Sequence, residues 1–96
     1  MKTDFSPEIL RAGRALTGLS QEKFAAEAEI GVVTLRSIEK GKKHVSIGMI
    51  ERFIHVLERY DVEYIQPTAE HGAGVRLAKN ARAAIATEKG ARKPKD

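Results

Sequence analysis

The sequence contains no cysteine and no tryptophan, and only three phenylalanines and two tyrosines. Without cysteine there is neither a disulfide framework nor a thiolate metal site, so packing alone must hold the chain together. With so few aromatics the core is expected to be mostly aliphatic. No segment approaches the ~18 uninterrupted apolar residues of a membrane-spanning helix. The opening MKTDFSPEIL lacks the apolar stretch of a secretory signal, and a cytoplasmic location is the expectation. No phosphate-cradling glycine loop or dinucleotide fingerprint occurs either; HGAG at 71–74 reads as a turn.

What is present fits one small globular domain with a tail. A hydrophobic share of 42% and a charged share of 31% are ordinary for such a chain, and no separate effector domain is expected within these 96 residues. Charge is unevenly placed. Residues 79–96 hold six of the 17 Lys and Arg and two of the 13 Asp and Glu, so residues 1–78 carry eleven of each sign and are neutral. The net charge of +4 therefore belongs to the tail, and any case for an anionic partner of the domain must come from local clustering.

Local signals mark four helices. Ser6-Pro7-Glu8 gives a hydroxyl cap, proline at the first helical position and an acid in the first turn. Ile9, Leu10, Gly13, Leu16 and Thr17 follow as a narrow apolar stripe, and Gly18 ends the helix. Ser20 caps a second helix opened by Gln21 and Glu22, with Phe24, Ala25 and Ala28 as its buried face. After a break at Glu29-Ile30-Gly31, a third helix turns Leu35 and Ile38 inward and stops at Gly41. Ser46 caps a fourth, in which Met49, Ile50, Phe53, Ile54 and Leu57 recur at helical spacing.

Beyond Asp61 the pattern changes. Val62-Ile65 and Gly74-Leu77 read as two short strands joined by a surface loop. A lone hairpin is marginal in water, so it must either pack on the helices or pair its edge with a second copy of the chain. The tail reads as frayed or partner-dependent helix over 79–90 and as disorder over 91–96.

Residues 20–41, SQEKFAAEAEIGVVTLRSIEKG, form a helix-turn-helix by these signals. Ser20-Gln21-Glu22, Ala25, Thr34-Leu35 and Ile38-Glu39-Lys40-Gly41 resemble the motif of the Cro/cI-repressor (Xre-type) helix-turn-helix family. LRAGRALTGLSQ upstream is similar to that family's first helix, and the helix and strand pair downstream resemble its short single-domain members. The resemblance spans roughly residues 8–78. It implies a mainly α, lambda-repressor-like four-helix DNA-binding domain with a short C-terminal two-stranded β element over 1–78, and leaves 79–96 as a basic tail.

The resemblance also implies a mechanism, with the third helix in the DNA major groove and the start of the second over the phosphate backbone. Gln21 then lies at a helix N-terminus suited to a phosphate. Val32, Val33, Thr34, Arg36 and Ser37 fall on the exposed face at the start of the recognition helix. Lys40, Lys42 and Lys43 follow at its far end as phosphate contacts, with a solvated loop as the plainer alternative. The turn departs from the family pattern, since Glu29 stands where glycine is usual. Either Glu29 adopts left-handed geometry or Gly31 absorbs the curvature. Gly31 itself replaces the common Ser or Thr cap. Val32 and Val33 replace polar base readers, with partial core burial or a protein contact as the alternative to base contact, which shifts readout toward Thr34, Arg36, Ser37 and DNA shape.

Glu39 resembles a structural residue bonded within the helix pair. Arg11 and Arg14 face solvent or pair with acids, and Tyr60 and Tyr64 are packing residues. His44, His55 and His71 do not converge on a metal, and no serine has a paired base, so no cofactor and no enzymatic activity are expected. The resulting expectation is a transcriptional regulator that binds duplex DNA, a repressor acting as a homodimer on a pseudo-palindrome through Val62-Ile65 and Gly74-Leu77. The rival is a protein-interaction module on the same fold, antitoxin-like or an anti-activator, using Val32 and Val33 against a protein partner.

Overall fold

A computed structural model describes residues 5–79. Four helices are followed by a hairpin: α1 (Pro7–Thr17), α2 (Gln21–Ala28), α3 (Val32–Lys40), α4 (Ile47–Arg59), β1 (Val62–Ile65) and β2 (Gly74–Leu77). The expected mainly α architecture with a terminal two-stranded element is the one observed. The basic tail assigned to 79–96 lies outside the described residues apart from Lys79.

The helix ends are set locally. Ser6, Ser20 and Ser46 each accept a hydrogen bond through Oγ from the amide three residues on, satisfying one orphan donor of the first turn. Gly31 caps α3 without any side-chain bond. Glu29 takes the left-handed conformation at φ 60°, while Gly31 remains extended at φ −73°. Of the two turn geometries open to the sequence, the strained one is used. It brings the amide of Ile30 onto the Ala25 carbonyl and closes α2 tightly.

The core joins all four helices. Leu10, Phe24, Ala25, Ala28, Leu35, Ile38, Phe53, Val56, Leu57 and Val62 are buried together. Phe24 of α2 and Phe53 of α4 meet at 4.5 Å between ring centroids with planes tilted by 46°, a favourable offset for two quadrupoles. Val56 was not expected in the buried stripe of α4, yet it is fully enclosed. Two glycines permit close approaches. A Cβ on Gly13 would lie 3.0 Å from both Leu57 methyls, so glycine lets α1 press on α4. Gly41 combines φ 75° with a would-be Cβ only 2.8 Å from Pro7 Cγ, which sets the end of α3 against the start of α1.

The hairpin packs on the helices, as one of the two sequence alternatives required. Val62 pairs with Leu77, Glu63 with Arg76, Tyr64 with Val75 and Ile65 with Gly74. The period of two directs Val62, Tyr64, Val75 and Leu77 to one face. That face meets α1 and α4, with Tyr64 against Phe5 at 5.0 Å. On the opposite face Glu63 and Arg76 form a cross-strand ion pair at 3.0 Å. The 66–73 connection is held at Thr68, whose hydroxyl accepts from the amides of Glu70 and His71.

Candidate nucleic-acid interface

The exposed face of α3 follows from its 100° step per residue. Leu35, Ile38 and Glu39 point inward, and Val33, Arg36 and Lys40 form the opposite, exposed stripe with half-buried Ser37 beside it. Val33 is 71% exposed, an unusual position for a β-branched apolar side chain. Thr34 lies half-buried on one flank of the stripe. Of the two placements open to Val32, an exposed face or partial core burial, the second is observed. One residue before Val33, it lies 100° round the helix, half-buried and packed against the core.

Beyond α3, Gly41 in the left-handed conformation reverses the chain and the Lys42 amide bonds back to the Ser37 carbonyl. This closure projects Lys42, Lys43 and His44 as an exposed loop next to Lys40. Arg11 adds a fourth cation here, donating from Nη1 to the Glu39 carbonyl at the C-terminal end of α3. The negative end of the helix dipole favours cations at this place. Arg11, expected to face solvent or to pair with an acid, is exposed and bonds to a backbone carbonyl 28 residues away rather than to a carboxylate.

Behind the exposed face lies a polar network built on Glu39, which is 3% exposed. Arg14 grips its carboxylate through two bonds, Nε to Oε2 and Nη2 to Oε1, and also donates to the Leu19 carbonyl. The Gln21 amide nitrogen donates to Glu39 Oε1 at 3.1 Å, and its carbonyl oxygen accepts from Arg36 Nε at 3.2 Å. Arg36 Nη2 lies 3.6 Å from Glu22 Oε2, an exposed pair. Glu39 is thus bonded within the helix pair and also to α1. Arg14 pairs with an acid, one of its two expected fates.

The Gln21 side chain is engaged at both ends within the protein, by Glu39 and by Arg36. What the start of α2 still presents is backbone. Ser20 Oγ satisfies the Lys23 amide, leaving the Gln21 and Glu22 amides, the first two of the helix, without an intrahelical acceptor.

Elsewhere, Glu27, Glu29, Arg52, His55, Glu58 and Arg59 line an open polar groove between α2 and α4. Its groups bond to one another, Arg52 to the Glu29 carbonyl and Arg59 to Glu27, and Glu27 Oε2 also accepts from the hydroxyl of Tyr60, outside the groove lining, at 2.7 Å. Among the described residues no three His, Asp or Glu side chains are grouped so as to hold a metal ion. No helix of the described residues is long and apolar enough to cross a membrane.

Two short helices joined by a tight turn, the second with an exposed stripe flanked by lysines, define a helix-turn-helix protein. The helix-turn-helix family model matches residues 10–65, more than half of the chain, and the chain belongs to this Xre/cI-like family of DNA-binding regulators. No curated protein and no solved structure matches it.

Proposed function

We propose that the protein is a repressor that binds duplex DNA sequence-specifically through residues 1–78, with 79–96 as an accessory basic tail. In this reading α3 enters the major groove and presents Val33, Thr34, Arg36 and Ser37 to base edges. The Gln21 and Glu22 amides at the start of α2 meet one phosphate, and Lys40, Lys42 and Lys43 meet phosphates at the far end of α3. The observation that carries the reading is the clustering of Lys40, Lys42 and Lys43 beside the exposed stripe of α3, within a domain whose charges sum to zero.

A single α3 offers few base contacts, and two-fold pairing would double them. We therefore assign the working state as a homodimer on half-sites about one helical turn apart. Val62-Ile65 and Gly74-Leu77 form the pairing element. Both strands of the hairpin have one partner only, so each leaves an outer edge.

The exposure of Val33 also supports a second reading, in which this face docks an antitoxin-like or anti-activator partner protein. Replacing Lys42 and Lys43 by glutamine separates the two. Two lost phosphate contacts per protomer flatten the salt dependence of duplex affinity by about 0.9 each in the log–log slope, and leave any contact through Val33 intact. An unchanged slope would remove the lysines from the DNA interface. Sedimentation at tens of micromolar tests the pairing, and a protein that stays monomeric there contradicts it.

A further inference from the structure

The Gln21 amide lies between two groups that fix its orientation. An ionised Glu39 can only accept, so the amide nitrogen must face it; a guanidinium can only donate, so the carbonyl oxygen must face Arg36. The amide therefore cannot flip without losing both bonds. Its own position rests on a carboxylate that is buried and clamped twice by Arg14.

Arg36 is anchored through Nε, the nitrogen least suited to base recognition, and this leaves the terminal Nη1–Nη2 fork on the exposed side of α3. No other side chain on the stripe can make a two-pronged bond: Val33 has no donor, Ser37 one hydroxyl, and Lys40 a point charge. A planar fork held at a fixed angle on a groove-facing helix matches O6 and N7 of guanine. The pair with Glu22 at 3.6 Å is solvent-exposed on both sides, and such a contact is weak enough to yield to a base.

Resting on the DNA-binding reading, we infer that Arg36 is the base reader of this protein, recognising one guanine per half-site. Gln21 is its positioning residue, oriented in turn by Glu39. Specificity at that base pair thus depends on a relay that begins in the core, and Gln21 acts on a base through Arg36.

The test is selection of bound duplexes from a randomised library by the full chain and by the variants Arg36→Lys and Gln21→Met. Unfolding of each variant is followed in parallel to confirm the fold. The wild type is expected to enrich a motif with an invariant G·C pair at one position of each half. Arg36→Lys keeps the charge and loses the fork, so preference at that pair falls by about 5- to 150-fold while the other positions hold. Gln21→Met is expected to weaken the same position alone. A motif without an invariant G·C pair, or one that Arg36→Lys leaves intact, overturns the inference and leaves the DNA-binding reading standing. Uniform weakening by Gln21→Met overturns the positioning role and returns Gln21 to the phosphate backbone. No enriched motif with the wild type removes both.

Discussion

Replacing Glu39 by leucine removes the acceptor of two Arg14 bonds and one Gln21 bond from the centre of the fold. Breaking a buried ion pair from one side costs about 3–5 kcal/mol, because the remaining charge stays desolvated. The two sides of this pair are unequal. The Arg14 side chain keeps 20% exposure against 4% for Glu39, and Arg14 retains its bond to the Leu19 carbonyl. The orphaned guanidinium can therefore recover some water. Glu39→Leu should fall near the low end, about 3 kcal/mol, and Arg14→Met near the high end, about 5 kcal/mol, because it strands a carboxylate. The double variant leaves neither charge behind and fills both volumes, so it should lie within about 1–2 kcal/mol of the wild type. Urea unfolding followed by helical circular dichroism reads this directly. At a slope of about 1–3 kcal/mol per molar, a 3 kcal/mol loss lowers the midpoint by about 1–3 M. A double variant that loses the sum of the two singles would refute the coupling. A Glu39→Leu cost below about 1 kcal/mol would show that the carboxylate is not held as described.

Substitutions at three further positions test the backbone at the helix ends. Gly41→Ala combines a left-handed backbone, worth about 1–2 kcal/mol, with a Cβ driven against Pro7, and should lower the unfolding free energy by about 2–4 kcal/mol; a loss under 1 kcal/mol would contradict the close approach. Glu29→Gly relieves left-handed strain and gives back part of the gain through a freer unfolded chain. It should exceed Glu29→Ala by about 0.5–1 kcal/mol, and equal stabilities would show that the turn stores no strain. Gly48→Ala lies in the first turn of α4 with only Ser46 Oγ near, at 3.8 Å, and should raise stability by about 0.5–1 kcal/mol in thermal unfolding; destabilisation would mean the space is filled.

Those features that local chemistry controls were legible in the sequence. Ser6, Ser20 and Ser46 announced helix starts, Gly18 and Gly41 announced ends, and the alternation over Val62-Ile65 and Gly74-Leu77 gave the strands with their observed limits. Positions decided by one step of the helix were less legible. Val32 and Val33 are identical in chemistry, and only the 100° between them makes one half-buried and the other exposed. Long-range polar pairing was least legible. Nothing within α1 tells that Arg14 meets a glutamate 25 residues on, and this pairing determines where Gln21 and Arg36 point. The residue types at the start of α2 were informative, whereas the engagement of the Gln21 side chain by the protein itself required the tertiary structure. The choice at Glu29 was likewise open until the backbone showed which residue turned left-handed.

The central claim is that this face reads DNA sequence. It is tested most directly by titrating the full chain against its selected duplex and against a permuted duplex of equal length and composition, at near-physiological salt. The account predicts that the selected duplex binds about 10³-fold tighter or more. Equal affinities for the two would contradict it, leaving charge attraction as the only contact between this domain and DNA.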